Sequence, residues 1–101
     1  MPDTLIGAGW HFCAAHSSPS RPATHGHSYE VKAWWRYEGQ DVEALQANLQ
    51  AALLAFDHKP LTPDLSRAES VAEAIGVLLP GCVRVDLWRP LERLGCEVWL
   101  S

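Results

Sequence analysis

No run of apolar residues in this chain is long enough to cross a bilayer, and its amino terminus lacks the basic start and apolar stretch of an export signal. Membrane insertion and secretion are therefore not expected. Cysteine is scarce: Cys13, Cys82 and Cys96 form no Cys-x-x-Cys pair, and their odd number argues against a disulfide framework. A reducing cytoplasm suits such a chain. Basic residues are also few, eight against twelve acidic ones, and they are scattered from Arg21 to Arg93 rather than gathered in a stripe. A net charge of -4 without a basic track gives a phosphate backbone nothing to follow, so nucleic acid is excluded as an expected partner. Repeats, linkers and a second domain are absent from the pattern.

What remains is one domain spanning residues 1 to 101, with nearly half of its residues apolar and a fifth charged, the balance of a globular protein. A chain this short buries only about two thirds of its unfolded surface, so a metal ion or partner subunits would add needed stability. Five tryptophans are more than so small a core easily hides with every indole N-H satisfied, which points some of them to subunit contacts or a pocket wall.

Alternation from Leu5 to His16 predicts a first strand, with Ile6, Ala8, Trp10, Phe12, Ala14 and His16 on one face and Gly7, Gly9, His11, Cys13 and Ala15 on the other. Ser17 to Thr24 has the Ser, Pro and Thr content of a loop, and His27 to Tyr37 returns as a second strand to make a long hairpin. Asp41 is placed to cap a helix running to Phe56, whose buried stripe is Val42, Leu45, Leu49, Leu53 and Phe56. Ser66 and Glu69 have the spacing of a capping box for a second helix with Ala68, Val71, Ala72, Ile75, Leu78 and Leu79 inward. Pro80 and Gly81 stop it, and strands through Val83, Val85 and Leu87 and through Cys96, Val98 and Leu100 follow, joined by a turn over 89 to 95. The order ββααββ predicts an α+β fold, an antiparallel sheet with two helices on one face.

His25 and His27 are two apart at the start of a strand and so share a face, and hairpin closure brings His16 across from them. Three imidazole nitrogens with no fourth protein ligand are the usual donor set of a catalytic zinc centre. Isolated histidines around a loop are more often ordinary surface residues, but matched parity at three positions favours a shared metal ligand set. The same parity puts His11 and Cys13 on the opposite face and excludes them as ligands unless a bulge intervenes.

Phe12-Cys13-Ala14-Ala15-His16, His25-Gly26-His27-Ser28-Tyr29 and Phe56-Asp57-His58-Lys59-Pro60-Leu61 resemble, in this order, the signature segments of the 6-pyruvoyl-tetrahydropterin and 6-carboxytetrahydropterin synthases. The resemblance implies the ββααββ unit of that family, whose sheets join into a barrel across subunits, and a homo-oligomer that is hexameric. It implies zinc on His16, His25 and His27, and an Asp57 and His58 pair that moves protons. The implied substrate is 7,8-dihydroneopterin triphosphate, or a related small hydroxy or carbonyl compound, in a lyase-type reaction.

Two positions depart from that family. Four residues before His25, where the family carries its catalytic cysteine, stands Arg21, whose guanidinium stays protonated and could grip a phosphate or carboxylate but not act as a base. Where a strand glutamate would anchor the pterin ring, Leu87 follows Val83-Arg84-Val85-Asp86, leaving Asp86, Glu92 or Glu97 as substitutes from a shifted register. Altered chemistry on the same scaffold is the expectation, with a non-catalytic or regulatory zinc-binding oligomer as the alternative. Retention of Asp57 and His58 favours the enzyme, although a cation such as His58 or Lys59 near a helix carboxyl end also has the helix dipole to explain it. Glu69 matches a family position too, but capping accounts for it.

Overall fold

The structure, a computed structural model of the chain, describes residues 3–18, 21–65 and 67–100, with the side chains of 16–18, 21–24 and 63 outside the description. Strands β1 (Leu5–Ser18) and β2 (Arg21–Arg36) form the long hairpin, α1 (Val42–Leu53) follows, and a two-residue strand β3 (Lys59–Pro60) precedes α2 (Ala68–Val77). Strands β4 (Cys82–Arg89) and β5 (Leu94–Trp99) complete a five-stranded sheet in the order β3-β1-β2-β4-β5. The mixed α+β class and the two helices are as expected, with two corrections. The sheet is mixed rather than wholly antiparallel, because β3 runs parallel to β1 through Ala14 and Ala15. The stretch expected as a loop from Ser17 to Thr24 is largely strand, since Ser18 pairs with Arg21 after an irregularity beyond His16. Its loop-like composition is overridden on both sides, which remain extended with Ser18 set opposite Arg21.

One parity of each strand faces the helices. Ala8, Phe12 and Ala14 of β1, Tyr29, Val31, Ala33 and Trp35 of β2, and Val85 and Leu87 of β4 join Leu45, Leu49, Leu53, Val71, Ala72 and Ile75 in a single core. Both helices therefore lie on the same face of the sheet. Leu49 and Ile75 are fully buried, and burial of such a side chain contributes about 1.5–3 kcal/mol. Asp41 caps α1, its carboxylate accepting the Glu43 N-H at 3.0 Å, as the sequence predicts. The α1 stripe begins later than expected, because Val42 is exposed in the first turn; Leu78 is likewise exposed at the end of α2. Ser66 lies outside the described residues, and Arg67, at the cap position of α2, makes no side-chain cap bond.

Trp34 and Trp35 take opposite faces. Trp35 is buried against the helices and donates its indole N-H to the Pro80 carbonyl at 3.0 Å. Trp34 lies on the open face, donates to Asp86 at 2.9 Å, and covers Gly7 so closely that a Cβ there would fall 2.5 Å from its ring. Only glycine fits at position 7. Strand β4 pairs with β2 from Glu30 to Trp35, so among the described residues positions 21–29 of β2 have β1 as their sole strand partner. The histidine segments occupy this overhang.

Candidate metal and acid-base site

Register decides which residues of the overhang can meet. His16 is set opposite His25 and Ala14 opposite His27, with no irregularity between Leu5 and His16, so positions 16, 25 and 27 fall on one face of the ribbon. Cys13 and His11, paired with Ser28 and Glu30, fall on the other face, as parity requires. The rings of His25 and His27 meet edge to face with centroids 4.6 Å apart. The side chains of His16 and Arg21 lie outside the described residues. Among the described residues, no group of three or more His, Cys, Asp and Glu side chains is arranged to hold a metal ion.

His27 is the one buried polar residue among those described, and its surroundings explain how an imidazole is kept there. Its Nδ1 lies 2.7 Å from Glu92 Oε1, and its Nε2 lies 3.0 Å from an Arg89 guanidinium nitrogen. A guanidinium can only donate, so Nε2 carries the lone pair and Nδ1 carries the proton that it donates to Glu92. Burial, reinforced by the Arg89 charge, holds the His27 pKa below its ordinary value even though Glu92 pulls the other way. The net result is a neutral ring.

That tautomer suits a metal ligand. A carboxylate on one ring nitrogen, fixing the ring and turning the other nitrogen's lone pair outward, is the usual support behind a metal-binding histidine. Arg89 and a metal ion cannot share Nε2, so the guanidinium has to turn aside for His27 to coordinate. Its Nε is 3.8 Å from Glu92, which gives it a second partner to stay with. Sequence reading missed Arg89 and weighed Glu92 only as a ring anchor. Charged residues beside Pro90 in a turn have no pattern that separates a ligand support from a solvated surface. Leu87, by contrast, is buried in the core, and Asp86 and Glu97 are engaged with Arg84 at 2.7 and 3.1 Å on the open face. Of the three carboxylates considered as substitutes, Glu92 is the one at the histidines.

Asp57 and His58 stand at the exposed edge of β1. Asp57 Oδ1 accepts the Cys13 N-H at 3.0 Å and lies 3.0 Å from His58 Nδ1. The Cys13 N-H, with His58 adding to it, holds the Asp57 carboxyl below the usual carboxylate range. His58 donates its backbone N-H to the Cys13 carbonyl at 2.6 Å and adopts φ 57°, a left-handed conformation that histidine, like asparagine and aspartate, takes up more readily than most residues other than glycine. Lys59 has a simpler role, its Nζ bonding the Leu54 carbonyl beyond the end of α1. A cavity of about 500 Å³ is lined by His27 and Glu92 and also by Cys13, Ser28, His58 and Pro60. It joins one histidine of the expected metal set to the histidine of the expected proton relay.

No family model matches the chain, and no curated protein matches it. Solved structures do. One, the structure of Caenorhabditis elegans 6-pyruvoyl tetrahydropterin synthase, has a TM-score of 0.75 at 20% sequence identity, with 100% of this chain and 98% of that chain covered. The chain is similar to that protein in fold over its full length.

Proposed function

We propose that the chain is a zinc-dependent lyase-type enzyme of altered chemistry, acting on 7,8-dihydroneopterin triphosphate or a related small hydroxy or carbonyl compound. His16, His25 and His27 would hold the metal, which when bound supplies a Lewis acid that acidifies a hydroxyl or water. The observation that carries the reading is the state of His27, a neutral imidazole whose Nδ1-H is held by Glu92 and whose lone pair is on Nε2. The remaining roles belong to the chain's own groups. His58, oriented by an ionised Asp57, exchanges a proton through its Nε2. Glu92 keeps the His27 ring in place. Arg21 would grip an anionic part of the substrate.

Two departures tilt the choice among substrates. Leu87, buried in the core, stands where the resemblance calls for a ring-anchoring carboxylate, and Arg21 stands where it calls for a cysteine, so turnover of the pterin triphosphate is expected to be weak or nil. Elemental analysis of purified protein tests the metal, with one zinc per chain expected. Full zinc content in His27→Ala would refute the assignment.

Assembly belongs to the same reading. The molecule measures 48 × 24 × 22 Å, drawn out by the hairpin, and a two-stranded ribbon is marginal in water unless packed against something. Among the described residues strand β5 has a partner on one side only, and Trp10, Trp88 and Trp99 are exposed. A homo-oligomer, a hexamer with the sheets joined into a barrel, would cover both. Light scattering that finds a monomer at micromolar concentration would exclude it.

A further inference from the structure

We propose that Arg89 is an internal stand-in for the metal ion: in the metal-free protein its guanidinium takes the His27 Nε2 lone pair, so binding a metal means displacing a cation that the chain itself supplies. The inference rests on the metal reading above and adds to it the positioning residue that sets how tightly the ion is held.

Strand register delivers Arg89 to the histidines. Val31 is set opposite Leu87, and the β2–β4 ladder ends one residue later on β4, with Trp88 opposite Glu30. Alternation from Val85 and Leu87, both in the core, keeps Arg89 on the helix face, and alternation from Val31 through Tyr29 keeps His27 on that face too. Just past the end of the ladder, a long side chain on Arg89 therefore runs beside the overhang toward His27. There Nη1 lies 3.0 Å from His27 Nε2. One oxygen closes the arrangement from behind, since Glu92 Oε1 is 2.7 Å from His27 Nδ1 and 3.8 Å from Arg89 Nε. Arg89 is also held as few surface cations are, its side chain 19% exposed against 57% for Arg36 and 73% for Arg67.

The energetics give this clasp a direction. A buried imidazole lone pair needs a donor, and Arg89 supplies one as long as no metal does. The contact joins a guanidinium to a neutral acceptor, whereas Glu92 offers it a carboxylate, the stronger kind of partner, so a displaced Arg89 keeps its charge paired. Arg89 thus stabilises the metal-free form alone, and whatever it contributes there is subtracted from the affinity for the ion. Its removal has to weaken the metal-free fold and tighten metal binding, two effects of opposite sign. An arginine that only packed the turn would on removal weaken both.

The test is zinc affinity, measured by competition with a chromophoric chelator at fixed ionic strength, beside urea unfolding in excess chelator. Arg89→Met keeps an unbranched stem and removes every donor. Its zinc dissociation constant is expected to fall about 10- to 100-fold, the equivalent of one hydrogen bond to a charged group, while its urea midpoint in chelator drops below that of the wild type. Arg93→Asn removes a charge from the same turn, at a left-handed position that asparagine tolerates, and is expected to change zinc affinity less than about 3-fold. Zinc bound no more tightly by Arg89→Met than by the wild type overturns the proposal and leaves the metal reading standing. An equal gain in Arg93→Asn also overturns it, by tracing the effect to net charge. Zinc bound by neither the wild type nor Arg89→Met sinks the metal reading and this inference with it. Should Arg89→Met fail to fold, the wild type decides: in a zinc titration followed by NMR the Arg89 side-chain N-H signals must shift in step with His27 Nε2, and signals that stay in place overturn the proposal.

Discussion

The two ends of the sheet obey different rules. Where β1, β2, β4 and β5 lie side by side under the helices, apolar side chains are packed to near-zero exposure and polar groups are kept to the open face. Along the overhang β4 and β5 no longer take part and β1 and β2 are joined only by the two-residue β3, and histidines, small residues and a thiol gather there, enclosed by the segments at 57–60 and 89–92. The first region supplies stability and the second chemistry. Beyond Phe12, Ala14 and Tyr29, which still belong to the core, the side chains of the overhang can be chosen for charge and lone pairs at little cost to the fold.

The sharpest way to break this contrast is to change the chemical end and find that stability moves instead of activity. His58→Asn is expected to lower turnover of the true substrate about 10²- to 10⁴-fold, the usual consequence of losing a positioned acid or base, with the melting curve nearly unchanged. A variant that keeps its rate, or that melts early, would place His58 among the structural residues. The converse change belongs to the packed end. Ile75→Ala, which empties a fully buried site, should cost about 2–5 kcal/mol in urea denaturation while zinc content per folded chain stays at the wild-type value. Metal loss in step with that substitution would show the two regions to be coupled.

A smaller effect tests the support behind the metal set. Glu92→Gln keeps a partner for the His27 ring but loses the charge, and a drop of about 10- to 100-fold in zinc affinity is expected in competition with a chromophoric chelator. No change would mean that Glu92 does not orient the ligand.

The smallest effect is with pH. The His27 pKa is depressed by burial and by Arg89, so the unfolded chain takes up this proton more readily than the folded one. The stability involved is fully present above the ordinary histidine value of about 6.5 and is lost as pH falls through the lower folded value. Asp57 behaves in the same sense but in a more acidic window, since its carboxyl is depressed by the Cys13 N-H from the ordinary carboxylate value of about 3.9. Unfolding free energies measured in chelator from pH 8 to pH 4 should therefore fall below about pH 6.5 in the wild type, with a shallower slope in His27→Gln. Equal slopes would assign the acid sensitivity to other groups.

Much of this was legible in one dimension because it depends on local rules. Period-two alternation put His25 and His27 on one face and Cys13 on the other, Asp41 announced α1, and Pro80 with Gly81 marked the end of α2. Adjacent tryptophans had to part, and Trp34 and Trp35 do. Composition misled from Ser17 to Thr24, where pairing across the hairpin outweighs the turn character of Ser, Pro and Thr.

What the tertiary structure alone decided is which distant residues arrive at the overhang. Glu92 and Arg89 reach His27 across more than sixty residues of sequence, and the Asp57 and His58 segment docks from more than forty residues away, the Asp57 carboxylate and the His58 N-H bonding the Cys13 backbone groups. Faces and caps are written in the spacing of neighbours, so sequence determines them. The partners of a buried imidazole and of an exposed thiol depend on how the chain returns to the sheet, and no local spacing encodes that.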